Sequence, residues 1–265
     1  MTLDGESIAG IDTSKPHPAR VYDYLLGGKD NYAVDQEAGE ELVAVAPEAR
    51  KGVRANRAFL ERAVRFVVSQ DVRQILDVGT GLPTSPNIHE IAQSINPDVR
   101  VAYIDNDPIV KAHGDALLSR SGDTGIVLAD LRTPQDLVHH PEIRRLIDFD
   151  EPVALFLVAI LHFVTEAEQP ERIVATLRDA LPTGSYLVLS HATGDFADRR
   201  GARAVYDKAT ATLNLRTRSE VERLFEGFTL LAPGLVQAPF WRPDAPTPAG
   251  SSDIGFYAGV ARKDA

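Results

Sequence analysis

Between residues 74 and 190 the apolar positions switch repeatedly between two periods. Residues 74–78, 99–104, 125–129, 152–158 and 185–190 form short, nearly unbroken apolar runs of strand length. Residues 87–94, 109–118 and 170–180 between them carry apolar side chains at helical spacing, the first with Ser85 as N-cap and Pro86 in its first turn. Strands that alternate with helices predict a parallel sheet covered on both faces. Upstream, 19–26, 36–45 and 50–68 read as helices. Pro18 opens the first and Gly27-Gly28 closes it. In the third, Val53, Phe59, Leu60, Val64, Phe66 and Val67 mostly gather on one face. Downstream, 196–213 reads as a helix, and Thr217-Arg-Ser-Glu220 has capping-box spacing for a short helix through Phe225. Strands 228–231 and 254–261 follow with no helix between them, so they are expected to pair antiparallel. The predicted architecture is α/β: a seven-stranded, mostly parallel sheet with helices on both faces, a C-terminal strand hairpin and extra N-terminal helices. Residues 1–70 are expected to form a helical extension or lid, and 71–265 the core domain.

Composition narrows the classes. Lys and Arg number 28 against 38 Asp and Glu, a net charge of −10. Duplex nucleic acid needs a basic face, so it is disfavoured as a partner. The chain has no cysteine. Thiolate nucleophiles, thiolate zinc sites and disulfides are thereby excluded. No His/Asp/Glu cluster has metal-ligand spacing, so no metal is expected. The start lacks a basic and then apolar leader, and the longest apolar run, from Val153 to Ile160, is far short of the ~20 residues of a membrane helix. A cytoplasmic protein with no membrane partner is expected.

Three motifs carry chemistry. Ile75-Leu-Asp-Val-Gly-Thr-Gly81 ends a strand in Asp-x-Gly-x-Gly. Glycine belongs where a Cβ would block close approach of backbone to a ligand, and the open end of a parallel sheet is where ligands bind. Asp77, Gly79, Thr80 and Gly81 are therefore candidate ligand contacts. Asp105 ends the next strand, 24 residues after Gly81. A dinucleotide fold places a ribose-binding acid about 20 residues after its glycines. Asn106 follows it, and Asp107 reads as the cap of the helix entered at Pro108. Asp130 ends the third strand, where it can accept from an adenine amino group while Leu131 offers a backbone N–H. A nicotinamide fingerprint would need a third glycine where Thr84 stands, and no Tyr-x-x-x-Lys pair follows strand five. An NAD-dependent oxidoreductase is therefore the weaker reading.

This set of motifs resembles the class I S-adenosylmethionine-dependent methyltransferases, which have a Rossmann-like fold. The resemblance covers about residues 50–265. One departure is Pro83, where those enzymes often have a further glycine. His17-Pro-Ala-Arg-Val-Tyr-Asp-Tyr-Leu-Leu-Gly-Gly-Lys-Asp-Asn31, Pro239-Phe-Trp-Arg-Pro243 and Gly255-Phe-Tyr-Ala-Gly259 resemble a narrower group of S-adenosyl methyltransferases across nearly the whole chain. The resemblance implies S-adenosylmethionine as cofactor and methyl transfer as activity, and it brings no substrate. Arg20, Tyr24 and Asn31 are expected in a lid over the methionine end, and Ala159 beside the cofactor. His162 follows strand four and His191 ends strand five, and both are candidate general bases. A small-molecule acceptor is expected. The Asn/Asp-Pro-Pro-Tyr/Phe motif of nucleic-acid amino methylation is replaced by Val158-Ala-Ile-Leu161. A non-catalytic S-adenosylmethionine sensor is the alternative, because the cofactor motifs are better marked than any acceptor site.

Overall fold

The computed structural model describes residues 13–118, 122–196, 200–247 and 250–264. Three helices lead: α1 Pro18–Leu26, α2 Ala33–Val45 and α3 Ala49–Ser69. The alternating region follows as β1 Gln74–Val78, α4 Ile88–Ile95, β2 Arg100–Asp105, α5 Pro108–Leu118, β3 Thr124–Leu128, α6 Pro134–His139, α7 Pro141–Leu146, β4 Ala154–Val158, α8 Pro170–Ala180 and β5 Tyr186–Ala192. The tail holds α9 Arg200–Tyr206, α10 Arg218–Arg223, β6 Thr229–Leu230, β7 Val236–Gln237 and β8 Phe256–Arg262.

The strand order is β3-β2-β1-β4-β5-β8-β6, with β7 also paired to β8. β1 to β5 run parallel, whereas β8 is antiparallel to β5, β6 and β7. The sheet thus has eight strands rather than seven. The eighth, β7, lies in the Pro- and Gly-rich connection, where two residues pair with Tyr257 and Ala258 without any periodic signal.

Alternation sets the two cores. In β4, Leu155 and Leu157 face one side with Leu137, Ile143 and Leu177 of the covering helices. Phe156 and Val158 face the other side with Phe59, Val64 and Val67 of α3. α3 also anchors the tail. Arg62 Nε donates to the Trp241 carbonyl at 2.9 Å and its Nη2 to that of Ala238 at 2.7 Å. The Trp241 ring meets Phe59 edge-on at 5.4 Å. The Pro-Phe-Trp-Arg-Pro segment is therefore a packing anchor.

Two local expectations change. The α4 N-cap is Asn87, whose N–H is held by Glu90 in a capping box, in place of Ser85. Of the long helix expected over 196–213, the described part is helical only over α9. Beyond Tyr206 the backbone turns to other partners: Thr210 N–H donates to the Pro16 carbonyl and Asn214 N–H to that of His162. Residues 197–199 lie outside the described set.

Candidate functional site

The loops after β1 and β2 meet at the open edge of the sheet. Gly79 and Gly81 both have positive φ, at 76° and 68°. The Gly79 and Thr80 N–H groups donate to the Ile104 carbonyl, at 2.8 and 3.1 Å. Gly81 N–H donates to Asp105 Oδ2 at 2.8 Å, and Asp107 N–H donates to Asp105 Oδ1 at 2.9 Å. Each Asp105 oxygen thus accepts a backbone hydrogen, and the Asn106 N–H also acts on this carboxylate.

The two glycines differ in purpose. A Cβ on Gly79 would fall 2.5 Å from Ile160 Cγ1, so this glycine answers to packing as well as to its backbone angle. This corrects the expectation that it makes room for a ligand. A Cβ on Gly81 would meet only Ala19 Cβ, at 3.9 Å, so its direction is open.

A cavity of about 440 Å³ starts here and runs beneath α1, α2 and α3. Its wall includes Gly79, Thr80, Gly81, Asp105, Asn106, Ala159, Arg20 and His162 from the candidates named above. Asp77, Asp130, Leu131, Tyr24, Asn31 and His191 are not in the wall. Asp77 is buried behind it, bonded to Thr80. Asp130 accepts from Asn106 Nδ2 at 3.2 Å and so stands one residue behind the wall. Leu131 is buried in the core under α6 and α8. Tyr24 donates to Glu40 and lies under the Arg50 guanidinium, and Asn31 Nδ2 donates to Asp23 at 2.7 Å. These last two hold the helices to each other.

The wall also contains Asn56, Arg57 and Arg132, which the motifs left out, together with His17, Tyr22 and Asp107, the last read above only as a helix cap. The N-terminal signature contains His17 and Tyr22. Asn56 had one signal, a polar residue on the otherwise apolar inner face of α3. Asn56 Nδ2 donates to Tyr22 Oη at 3.0 Å, and Ser190 Oγ donates to Asn56 Oδ1 at 2.6 Å. Asp107 caps α5 through the Ile109 N–H at 2.9 Å. Its other oxygen, Oδ2, is buried. His17 Nδ1 lies 3.2 Å from this oxygen and 3.3 Å from the Ala19 N–H, so the ring tautomer decides which of the two it serves.

Neither histidine is arranged as a base. His191 is buried. Its Nδ1 lies 2.7 Å from the Ala192 carbonyl and so carries the hydrogen, while its Nε2 accepts from Arg216 Nη1 at 2.9 Å. Burial lowers its pKa to about 3. Both nitrogens are committed, which corrects the catalytic expectation. His162 Nδ1 accepts the Ala192 N–H at 3.2 Å, which assigns the hydrogen to Nε2. Burial holds its pKa well below the ordinary value. His162 can donate a hydrogen bond, but its one lone pair, on Nδ1, is engaged by the Ala192 N–H.

Burial also raises the Asp77 carboxyl to about 7, against the Thr80 hydrogen bond and Arg57, and the Asp105 carboxyl to about 6. Both bind protons more tightly folded than unfolded. Their stabilising contribution is complete below about pH 4 and is lost as pH rises through about 6 and 7. Asp77→Asn should therefore gain stability over wild type as pH rises from about 4 to about 7, with a constant difference above that. Paired thermal melts across that rise check this, and a constant difference there too would mean that Asp77 is ionised throughout.

The geometry suits S-adenosylmethionine: an open cradle at Gly81 and the carboxylates of Asp105 and Asp107 in the same cavity wall. No helix among the described residues is long and apolar enough to cross a membrane. A DUF574 family protein of Streptomyces avermitilis is 43% identical, with 95% of this chain and 99% of that one covered and a TM-score of 0.90. A proposed methyltransferase of Thermobifida fusca is 39% identical, covering 98% and 100%, at a TM-score of 0.92. The fold is shared with the 1,6-didemethyltoxoflavin-N1-methyltransferase of Burkholderia thailandensis, crystallised with 1,6-didemethyltoxoflavin and S-adenosylhomocysteine. That protein is 14% identical, covering 99% and 94%, at a TM-score of 0.50. A search of curated proteins found no significant match. The sequence pattern of the S-adenosyl methyltransferase family matches residues 4–264, and the chain belongs to that family.

Proposed function

We propose that the protein transfers the methyl group of S-adenosylmethionine to a small-molecule acceptor held in the cavity beneath α1, α2 and α3. One observation carries this reading: the sheet-edge loops at Gly81 and Asp105 open into the same cavity that the N-terminal helices cover. Its size falls within the ~300–1,000 Å³ of small-molecule sites. The small-molecule acceptor of the structurally similar toxoflavin methyltransferase supports the same acceptor class.

S-adenosylmethionine supplies a sulfonium-bound methyl that passes to an acceptor lone pair while the C–S electron pair stays with sulfur. The protein has to hold the partners in line and exclude water. Asp105 would accept from the ribose hydroxyls, and Gly81 leaves room for the ligand beside it. Asn106, braced by Asp130, would face the adenine end. Asp77 acts from beneath, through Thr80. Ala159 fixes the far wall with φ at 58°, its N–H donating to Ser190 Oγ at 3.0 Å. His162 would donate to the acceptor and orient it.

The test is S-adenosylhomocysteine formation in a screen of small-molecule acceptors with purified protein. Tight cofactor binding with no turnover across a broad screen would favour a sensor instead. The lid is tested by hydrogen exchange. Residues 17–35 should slow on adding S-adenosylhomocysteine, and more than α8 does, because α1 lines the cavity. Equal protection in both regions would reduce α1 to ordinary packing.

A further inference from the structure

The cavity has two chemically different halves. Its ionisable groups lie around the loops after β1, β2 and β3 and along α1, with Arg57 reaching these loops from α3. Arg20 lies 3.4 Å from Asp35. Arg57 donates through Nη2 to the Thr84 and Pro86 carbonyls at the cofactor end, and its buried Nε has no hydrogen-bond partner among the described residues. Arg132 lies 3.3 Å from Asp130 and 3.5 Å from Glu168. The other half is walled by Leu25, Leu42, Val53, Phe163, Tyr206 and Leu213. These belong to one apolar cluster built by the N-terminal helices and the segment around α9. Phe163 packs at 5.3 Å from Tyr206 and 4.4 Å from His162, which makes an aromatic corner.

Three polar groups sit in the wall with that cluster. Tyr22 Oη donates to the Val53 carbonyl at 3.1 Å and accepts from Asn56, so one lone pair remains. Asn56 has a second amide hydrogen. His162 has its Nε2 hydrogen. Together they offer donors and one acceptor, and no charge: burial keeps His162 neutral and raises the Tyr22 pKa.

We propose that the methyl acceptor is an uncharged, mainly apolar or aromatic small molecule that presents one hydroxyl or amino group to Tyr22, Asn56 and His162. This rests on the methyl-transfer reading above. A carboxylate or ammonium in this half would be desolvated among Leu25, Leu42, Val53, Phe163, Tyr206 and Leu213, which carry no counter-ion, whereas a planar ring finds aromatic edges and a single polar atom finds its hydrogen bonds.

The test is calorimetry on the full chain saturated with S-adenosylhomocysteine. The probes are 1-naphthol, 1-naphthylamine, 1-naphthoate and 1-naphthylmethylammonium. The two neutral probes should bind, and the two ions should bind at least about tenfold more weakly. Phe163→Ala should weaken 1-naphthol binding by about tenfold and leave S-adenosylhomocysteine affinity unchanged, which also shows that the variant is folded. Equal or tighter binding of either ion, or no binding by any probe to the saturated protein, overturns the proposal. Failure of S-adenosylhomocysteine itself to bind instead overturns the methyl-transfer reading beneath it.

Discussion

Gly79→Val is expected to destabilise the protein by about 2–5 kcal/mol, through left-handed backbone and overpacking together. The φ of 76° costs a β-branched residue about 1–2 kcal/mol. The new Cβ would fall within 2.8 Å of three Ile160 side-chain carbons, and relieving that overlap costs about 1–3 kcal/mol more. In a chain of this size the melting midpoint should drop by about 5–15 °C. Ile160 sits in the cavity wall, so S-adenosylhomocysteine affinity should fall as well. A double-mutant cycle separates the two causes. Gly79→Ala should cost less in an Ile160→Ala background, because the Cγ1 and Cδ1 overlaps at 2.5 and 2.7 Å are gone and only the Cβ contact at 2.8 Å and the backbone strain remain. A variant that melts like wild type but has lost the ligand would instead place the ligand itself against Gly79.

Asp105→Ala should weaken S-adenosylhomocysteine binding by about 1.5–3 kcal/mol, or one to two orders of magnitude. The change removes the carboxylate proposed for the ribose and also strands the Gly81 and Asp107 N–H groups, which it now holds. Asp105→Asn is no conservative rescue. The carboxylate accepts a backbone hydrogen on each oxygen, so an amide must turn its NH₂ toward one of those donors. Both variants are best compared above about pH 7, where the wild-type carboxyl, with its pKa near 6, is ionised. Wild-type affinity should then decline as pH falls below about 6, since the protonated form has lost acceptor capacity. Unchanged calorimetric affinity in Asp105→Ala would remove this residue from the site.

The order of strands and helices from β1 to β5 was legible because each element is specified by its own neighbours. A five-residue apolar run ending in Asp-x-Gly-x-Gly is strand and turn whatever surrounds it. The same locality made Asp105 visible, since its place at the end of β2 follows from counting along one βαβ unit. β7 escaped because two residues in a Pro-rich loop have no period. They become a strand only through the edge that β8 provides.

Side-chain roles divided along the same line. His191 stood at a strand end and read as reactive, yet Arg216, 25 residues further along, occupies its free nitrogen. Tyr24 and Asn31 share a motif with Tyr22, and only Tyr22 turns inward to reach Asn56 on α3, 34 residues away. Local pattern carries period, capping and the spacing of glycine and acid, all of which act within a few residues or one βαβ unit. Which polar groups of α1, α3, β5 and the 192–215 segment face one cavity depends on contacts between chain segments far apart in sequence. Packing alone decides those, because an isolated helix presents the same polar side chain whether it will meet solvent, a buried partner or a ligand.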